Sequence, residues 1–241
     1  MLFGPDDRTA RRAWPALLLG LLQTATAMPA AEPELAALLA SNTYAIRIEG
    51  REISGPGLAW IESQAAEAHF FLLGEQHATA DIASLSDGLF ERLNTLGYSV
   101  AAVEVGPWSA SLMEAMLRRD GGEPFEHYLR DPSHRLVFPF FSFSEEADFA
   151  RTVVRLASAG GPALWGLDQE FLGAGPLLLD ELERAATTDG QRTAVLAAQQ
   201  SVARDPMALG TGADDPWQGL ESAFRGFGEA GALADAILVS R

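Results

Sequence analysis

The chain has 241 residues, enough to bury a sizeable core, and its 48% hydrophobic and 21% charged content is that of a globular protein and excludes a disordered one. Asp and Glu outnumber the basic residues 33 to 17, and the formal net charge is −16. Such a balance excludes nucleic acid as a partner, because that binding draws on cationic groups that displace counterions from phosphate.

Every basic residue is an arginine, and cysteine is absent. There is thus no disulfide framework, no thiolate nucleophile and no thiolate metal site, and any chemistry must use oxygen and imidazole.

The N-terminus reads as an export signal over residues 1–27. Arg8, Arg11 and Arg12 precede an apolar run from Ala13 to Leu22, and Thr24-Ala25-Thr26-Ala27 offers a small-residue cleavage site after Ala27. Cleavage there predicts a periplasmic or extracellular protein with no stable membrane span. Residues 28–241 then read as a single α/β domain, a mainly parallel sheet flanked by helices with a helical C-terminal portion.

In chain order, Glu34 to Ala40 reads as a short helix, and Tyr44 to Ile48 with Arg51 to Ser54 as two strands around Glu49-Gly50. Pro56 opens a helix to about Glu67. His69 to Leu73 is a five-residue apolar run ended by Gly74, the pattern of a buried parallel strand. From Asp81 to Leu96 apolar residues recur at helical spacing, and Gly97 supplies a C-cap. Val100 to Val103 reads as the next strand and completes a βαβ unit.

Ser109 is a candidate cap for a helix carrying Leu112, Met113, Met116 and Leu117, ending before Gly121-Gly122. The aromatic stretch from Pro124 to Phe143 has no clean period and reads as a lid or wall. Ser142 and Glu145 have capping-box spacing for a helix to about Ser158, and Ala163 to Leu167 forms the third strand. Pro176 to Thr187, Gln191 to Ala203 and Pro216 to Leu233 read as helices. Ala236 to Val239 reads as the start of a fourth strand, and the stop at Arg241 leaves open a domain incomplete at its C-terminus.

Strand one ends in Gly74-Glu75-Gln76-His77, strand two in Glu104, and strand three in Asp168-Gln169-Glu170. The carboxyl ends of parallel strands open on one edge, where ligands bind. Carboxylates gathered there need a cation, an arginine or a shared proton to offset their repulsion. His77, Glu75 and Glu104 are the candidate catalytic groups: an imidazole deprotonates water while a carboxylate orients the ring. Asp168, Gln169 and Trp108 are candidates for holding a small-molecule substrate. A metal version is equally writable, with ligands drawn from His77, Glu75, Glu104 and Asp168 around a water. The blander readings stand beside these: Glu75 as a helix cap, His77 as an ordinary polar residue, Gln169 and Glu170 as surface, Trp108 and Trp165 as core or wall, and His127 and His134 as solvated.

The run Leu73-Gly74-Glu75-Gln76-His77, followed by Thr79, a helix and Val103-Glu104, resembles the erythromycin esterase-like and ChaN-like superfamily, whose members carry a G-E-x-H or G-E-x-x-H element after a first strand and a second glutamate after the next. Trp165-Gly166-Leu167-Asp168 is similar to a later strand-end motif there, so the likeness spans about Phe70 to Glu170. The resemblance implies an α/β fold. For the esterase branch it implies hydrolysis of ester, lactone or amide bonds, with His77 activating water beside Glu75 and Glu104. Other branches, ChaN and Tiki among them, imply a haem-binding envelope protein or a metal-dependent protease, and the short Gly-Glu-Gln-His spacing sits nearer to these. The esterase branch also uses a histidine well downstream, and no histidine follows His134 here.

Overall fold

A computed structural model describes residues 33–134, 136–157, 160–205 and 215–239. The predicted export signal lies outside the described residues. Contacts divide the chain into two units, residues 1–43 and 44–241. In the first, the described part is α1 (Pro33–Ser41), closed by Asn42 Nδ2 and Thr43 Oγ1 donating to the carbonyls of Leu38 and Leu39.

The second unit opens with an antiparallel hairpin, β1 (Arg47–Glu49) and β2 (Glu52–Ser54), in the register Arg47↔Ser54, turning at Gly50 with φ +62°. It continues with α2 (Pro56–Ala65), α3 (Ala80–Asn94), β3 (Ala101–Val103), α4 (Pro107–Arg118), α5 (Glu123–Arg130), α6 (Ser144–Leu156) and β4 (Leu164–Gly166). Among the described residues four helices follow: α7 (Gly175–Ala185), α8 (Asp189–Arg204), α9 (Asp215–Phe224) and α10 (Gly228–Val239).

The predicted mainly parallel sheet does not form. Helix makes up 63% of the structure, and the described strands belong to two sheets of two strands each. Val100 to Val103 and Ala163 to Leu167 do meet, as β3 and β4, parallel with Ala101↔Leu164 and Val103↔Gly166 in register. The first of the expected parallel strands fails: His69 to Leu73 runs without a ladder, and among the described residues no backbone group of 69–76 enters a backbone hydrogen bond. Phe70 and Leu72 stand 81% and 92% exposed. An apolar pentapeptide carries the propensity of a strand but needs a partner edge to express it.

Helices cover one face of the β3–β4 pair. Ala101 and Leu164 are buried there with Met113 and Leu117 of α4 and Val153 of α6 in the first core cluster. Residues on the opposite face, Ala102, Trp165 and Leu167, are exposed, as the period of two in a strand requires. A second core unites the C-terminal helices around Leu178, Leu182, Val195, Trp217, Leu220 and Phe224. Ala236 to Val239, expected as a strand, is the last turn of α10. Leu233, Ala234 and Ile237 recur at helical spacing and are all buried in this second core, so a continuous, largely apolar helix takes the run. The helix expected from Pro216 to Leu233 is two, parted where Gly226 and Gly228 take φ +79° and +59°.

Two expected caps are also replaced. Ser142 donates its hydroxyl to the Phe138 carbonyl (2.8 Å) and does not cap α6, which begins after an extended Phe143. Ser109 lies inside α4, whose first residue is Pro107, and its hydroxyl donates to Glu170 at 2.6 Å. Glu170, read as surface, is 2% exposed and accepts from the Trp108 N–H (2.7 Å) and the Ser109 N–H (3.3 Å) as well. A carboxylate delivered by the chain after β4 thus satisfies the free amides at the α4 N-terminus and meets the positive end of its dipole. The approach is close: a Cβ on Gly106 would lie 2.2 Å from the Glu170 carboxyl carbon. At the other end of β4, buried Glu114 of α4 accepts the N–H groups of Ala163 (2.8 Å) and Leu164 (3.0 Å) and binds Arg118 Nε at 2.7 Å.

Replacing Glu170 by alanine would leave two helix amides and a buried hydroxyl without an acceptor. We expect a loss of about 3 kcal/mol in urea unfolding, with Glu170→Gln losing less. A change below about 1 kcal/mol would contradict the assigned role.

Candidate functional site

The segment that fails to pair still ends at the chemistry predicted for it. Glu75 and His77 sit in the link between it and α3, and Ala78 takes φ +59° to turn the chain into the helix, which begins at Ala80. A left-handed alanine costs about 1 kcal/mol relative to an ordinary conformation. Glu104 follows β3 directly, at the carboxyl end of that strand.

His77 is held on three sides. Its Nδ1 lies 2.9 Å from Glu75 Oε1, its Nε2 lies 3.7 Å from Glu104 Oε2, and its ring stacks on Phe140 with centroids 4.1 Å apart. A carboxylate only accepts, so Nδ1 carries the proton and Nε2 is left as the basic atom when the ring is neutral. All three polar side chains are about half exposed, which makes this an open site reached by water. The hydrogen bond that His77 donates to Glu75 raises the His77 pKa above that of a free imidazole; desolvation opposes the rise, and the charges of Glu75, Glu104 and Glu146 add to it.

The site opens into a groove of about 1070 Å³ lined by residues 68–73 on one side and 96–104 on another. Phe71, Phe90, Phe149, Trp165 and Leu167 supply apolar walls, and Phe140 and Phe141 bring the aromatic stretch before α6 to it. Glu146, in the first turn of α6, also lines the groove, its pKa raised chiefly by burial and then by the charges of Glu75 and Glu145. Sequence reasoning did not single out Glu146. Nothing distinguishes it from Glu145 beside it, since both read as ordinary acids of a first turn.

The structure brings together Glu75, His77 and Glu104. It does not bring Asp168, Gln169 or Trp108 to the groove. Asp168 is exposed, its amide extends the β3 side of the ladder by donating to Val105 (3.2 Å), and its carboxylate accepts from the Gln169 N–H (2.7 Å). Gln169 is exposed, and Trp108 packs against the second core. His134 is half-buried, stacked on Tyr128 at 3.8 Å, while His127 is exposed. Among the described residues, no three His, Asp or Glu side chains are arranged to hold a metal ion. No helix among them is long and apolar enough to cross a membrane.

The chain matches no family model, no curated protein and no solved structure.

An imidazole resonance of His77 followed by NMR should titrate above the free-histidine midpoint, and Glu75→Gln should bring it down. Because the folded pKa of His77 is raised, this contact stabilises the fold below the unfolded pKa and its contribution is lost as pH rises through the folded one. A wild-type midpoint below that of Glu75→Gln would contradict the geometry.

Proposed function

We propose that this chain is an exported hydrolase of ester, lactone or amide bonds in which His77 is the general base. The observation that carries the reading is the Glu75–His77–Glu104 alignment at the end of a large groove. His77 Nε2 takes a proton from water as the water oxygen adds to the substrate carbonyl. The tetrahedral carbon then expels its alkoxide or amine, which leaves with the proton from Nε2. Glu75 holds the ring in the Nδ1–H tautomer and favours the imidazolium formed midway, and Glu104, 3.7 Å from Nε2, adds to that stabilisation.

A second reading, a non-enzymatic haem-binding envelope protein, draws support from an imidazole at the margin of an apolar groove. It fits less well with three carboxylates at that margin, because haem itself carries carboxylates. Titration with haem separates the two: a Soret shift that His77→Ala abolishes, in a protein without turnover, would favour it.

With p-nitrophenyl esters as substrate, His77→Ala should lower kcat/KM by about 10²-fold or more while circular dichroism stays unchanged. Because the base acts in its neutral form and its pKa is raised, activity should climb as pH rises through that value, and Glu75→Gln should move the climb to lower pH. Full activity in His77→Ala would end the hydrolase reading.

A further inference from the structure

The groove is apolar along its length and charged at one end, and that asymmetry describes what fits it. Its walls are aromatic and aliphatic, among them Phe71, Phe149 and Trp165, and its size lies just above the range of about 300–1,000 Å³ typical of sites that enclose a small organic molecule. The end at the β3 terminus carries Glu75, Glu104 and Glu146 against the single imidazole of His77. Among the described residues no arginine lines the groove, and the chain has no lysine, so the three carboxylates outnumber the two imidazoles, His69 and His77, that the lining supplies.

We propose that the groove binds amphipathic cations: an apolar body lies along the aromatic walls and a positively charged head meets Glu75, Glu104 and Glu146. Apolar burial supplies most of the affinity, and the carboxylates select the sign of the head group. Water-exposed carboxylates hold an isolated small cation weakly, so the body is required as well as the charge. An anion of the same body is disfavoured by the same groups. The inference deepens the hydrolase reading, resting on its placement of chemistry at His77, by naming the class of ester it would take.

The test is isothermal titration of the full chain with three probes below their micelle concentrations: decyltrimethylammonium, decanoate and tetramethylammonium. The cationic amphiphile should bind about tenfold or more tighter than decanoate, and tetramethylammonium should show no measurable binding. Leu72→Ser, at a groove residue exposed enough to be changed without loss of fold, should weaken the cationic amphiphile, and so should Glu104→Gln. Addition of 0.5 M salt, about a 4 Å screening length, should narrow the preference over decanoate. Equal binding of the two amphiphiles, binding of tetramethylammonium alone, or binding untouched by both substitutions would overturn the proposal. His77→Ala should still bind the amphiphile. Loss of turnover with binding intact upholds the inference, whereas turnover of simple esters without a charge preference upholds the hydrolase reading and ends the inference.

Discussion

Two buried carboxylates hold the central layer together. Glu114 takes the amides that open β4 and Glu170 takes the amides that open α4, so helix and strand are bound to one another at both ends of the strand. Each carboxylate would be costly to bury alone, and each is matched to backbone donors that would otherwise be unsatisfied. The glycines at 106 and 166 make the approach possible, since a Cβ on Gly166 would lie 2.3 Å from the Gly106 carbonyl oxygen. With β4 placed, its parallel partner β3 is placed too, and Glu104 with it.

From that anchored layer the site is built outward on weaker supports. Glu104 issues from a paired strand, but Glu75 and His77 issue from a segment with no ladder, positioned by Tyr98 donating to the Ala68 carbonyl (2.9 Å) before it and by α3 after it. Ring stacking on Phe140 ties His77 to the stretch that leads into α6. The result is an imidazole fixed by its neighbours and left open to solvent, with an uncovered sheet face beside it. Parallel strands are ordinarily covered on both faces. Here the exposed Trp165 and Leu167 form part of the groove instead.

Much of this was legible in the sequence and some of it was not, for physical reasons. Helical periodicity and glycine punctuation located α3, α4 and α6 to within a few residues, and the Gly50 turn located the β1–β2 hairpin. Glu75, His77 and Glu104 could be found because each follows a short apolar run that ends in a turn or a charge. The sheet was overestimated because a run such as His69 to Leu73 records what a segment would do beside an edge, not whether an edge is within reach. Ala236 to Val239 was misread because four apolar residues suit either a strand or a buried helix turn, and only the spacing back to Leu233 separates them. Glu170 was misread because a buried cap supplied from another element leaves no local spacing to detect. The capping box that does form, Thr188 with Gln191, sits where T-x-x-Q could have been read, and it places the start of α8 at Asp189.

The hydrolase reading depends on Glu75 fixing the tautomer of His77. The direct measurement is a long-range ¹H–¹⁵N spectrum of the imidazole at a pH above its titration. A protonated Nδ1 beside an unprotonated Nε2, exchanged for the opposite tautomer in Glu75→Ala, is the predicted result. A proton on Nε2 in the unmodified protein would leave no basic atom facing Glu104 and the groove, and would contradict the account.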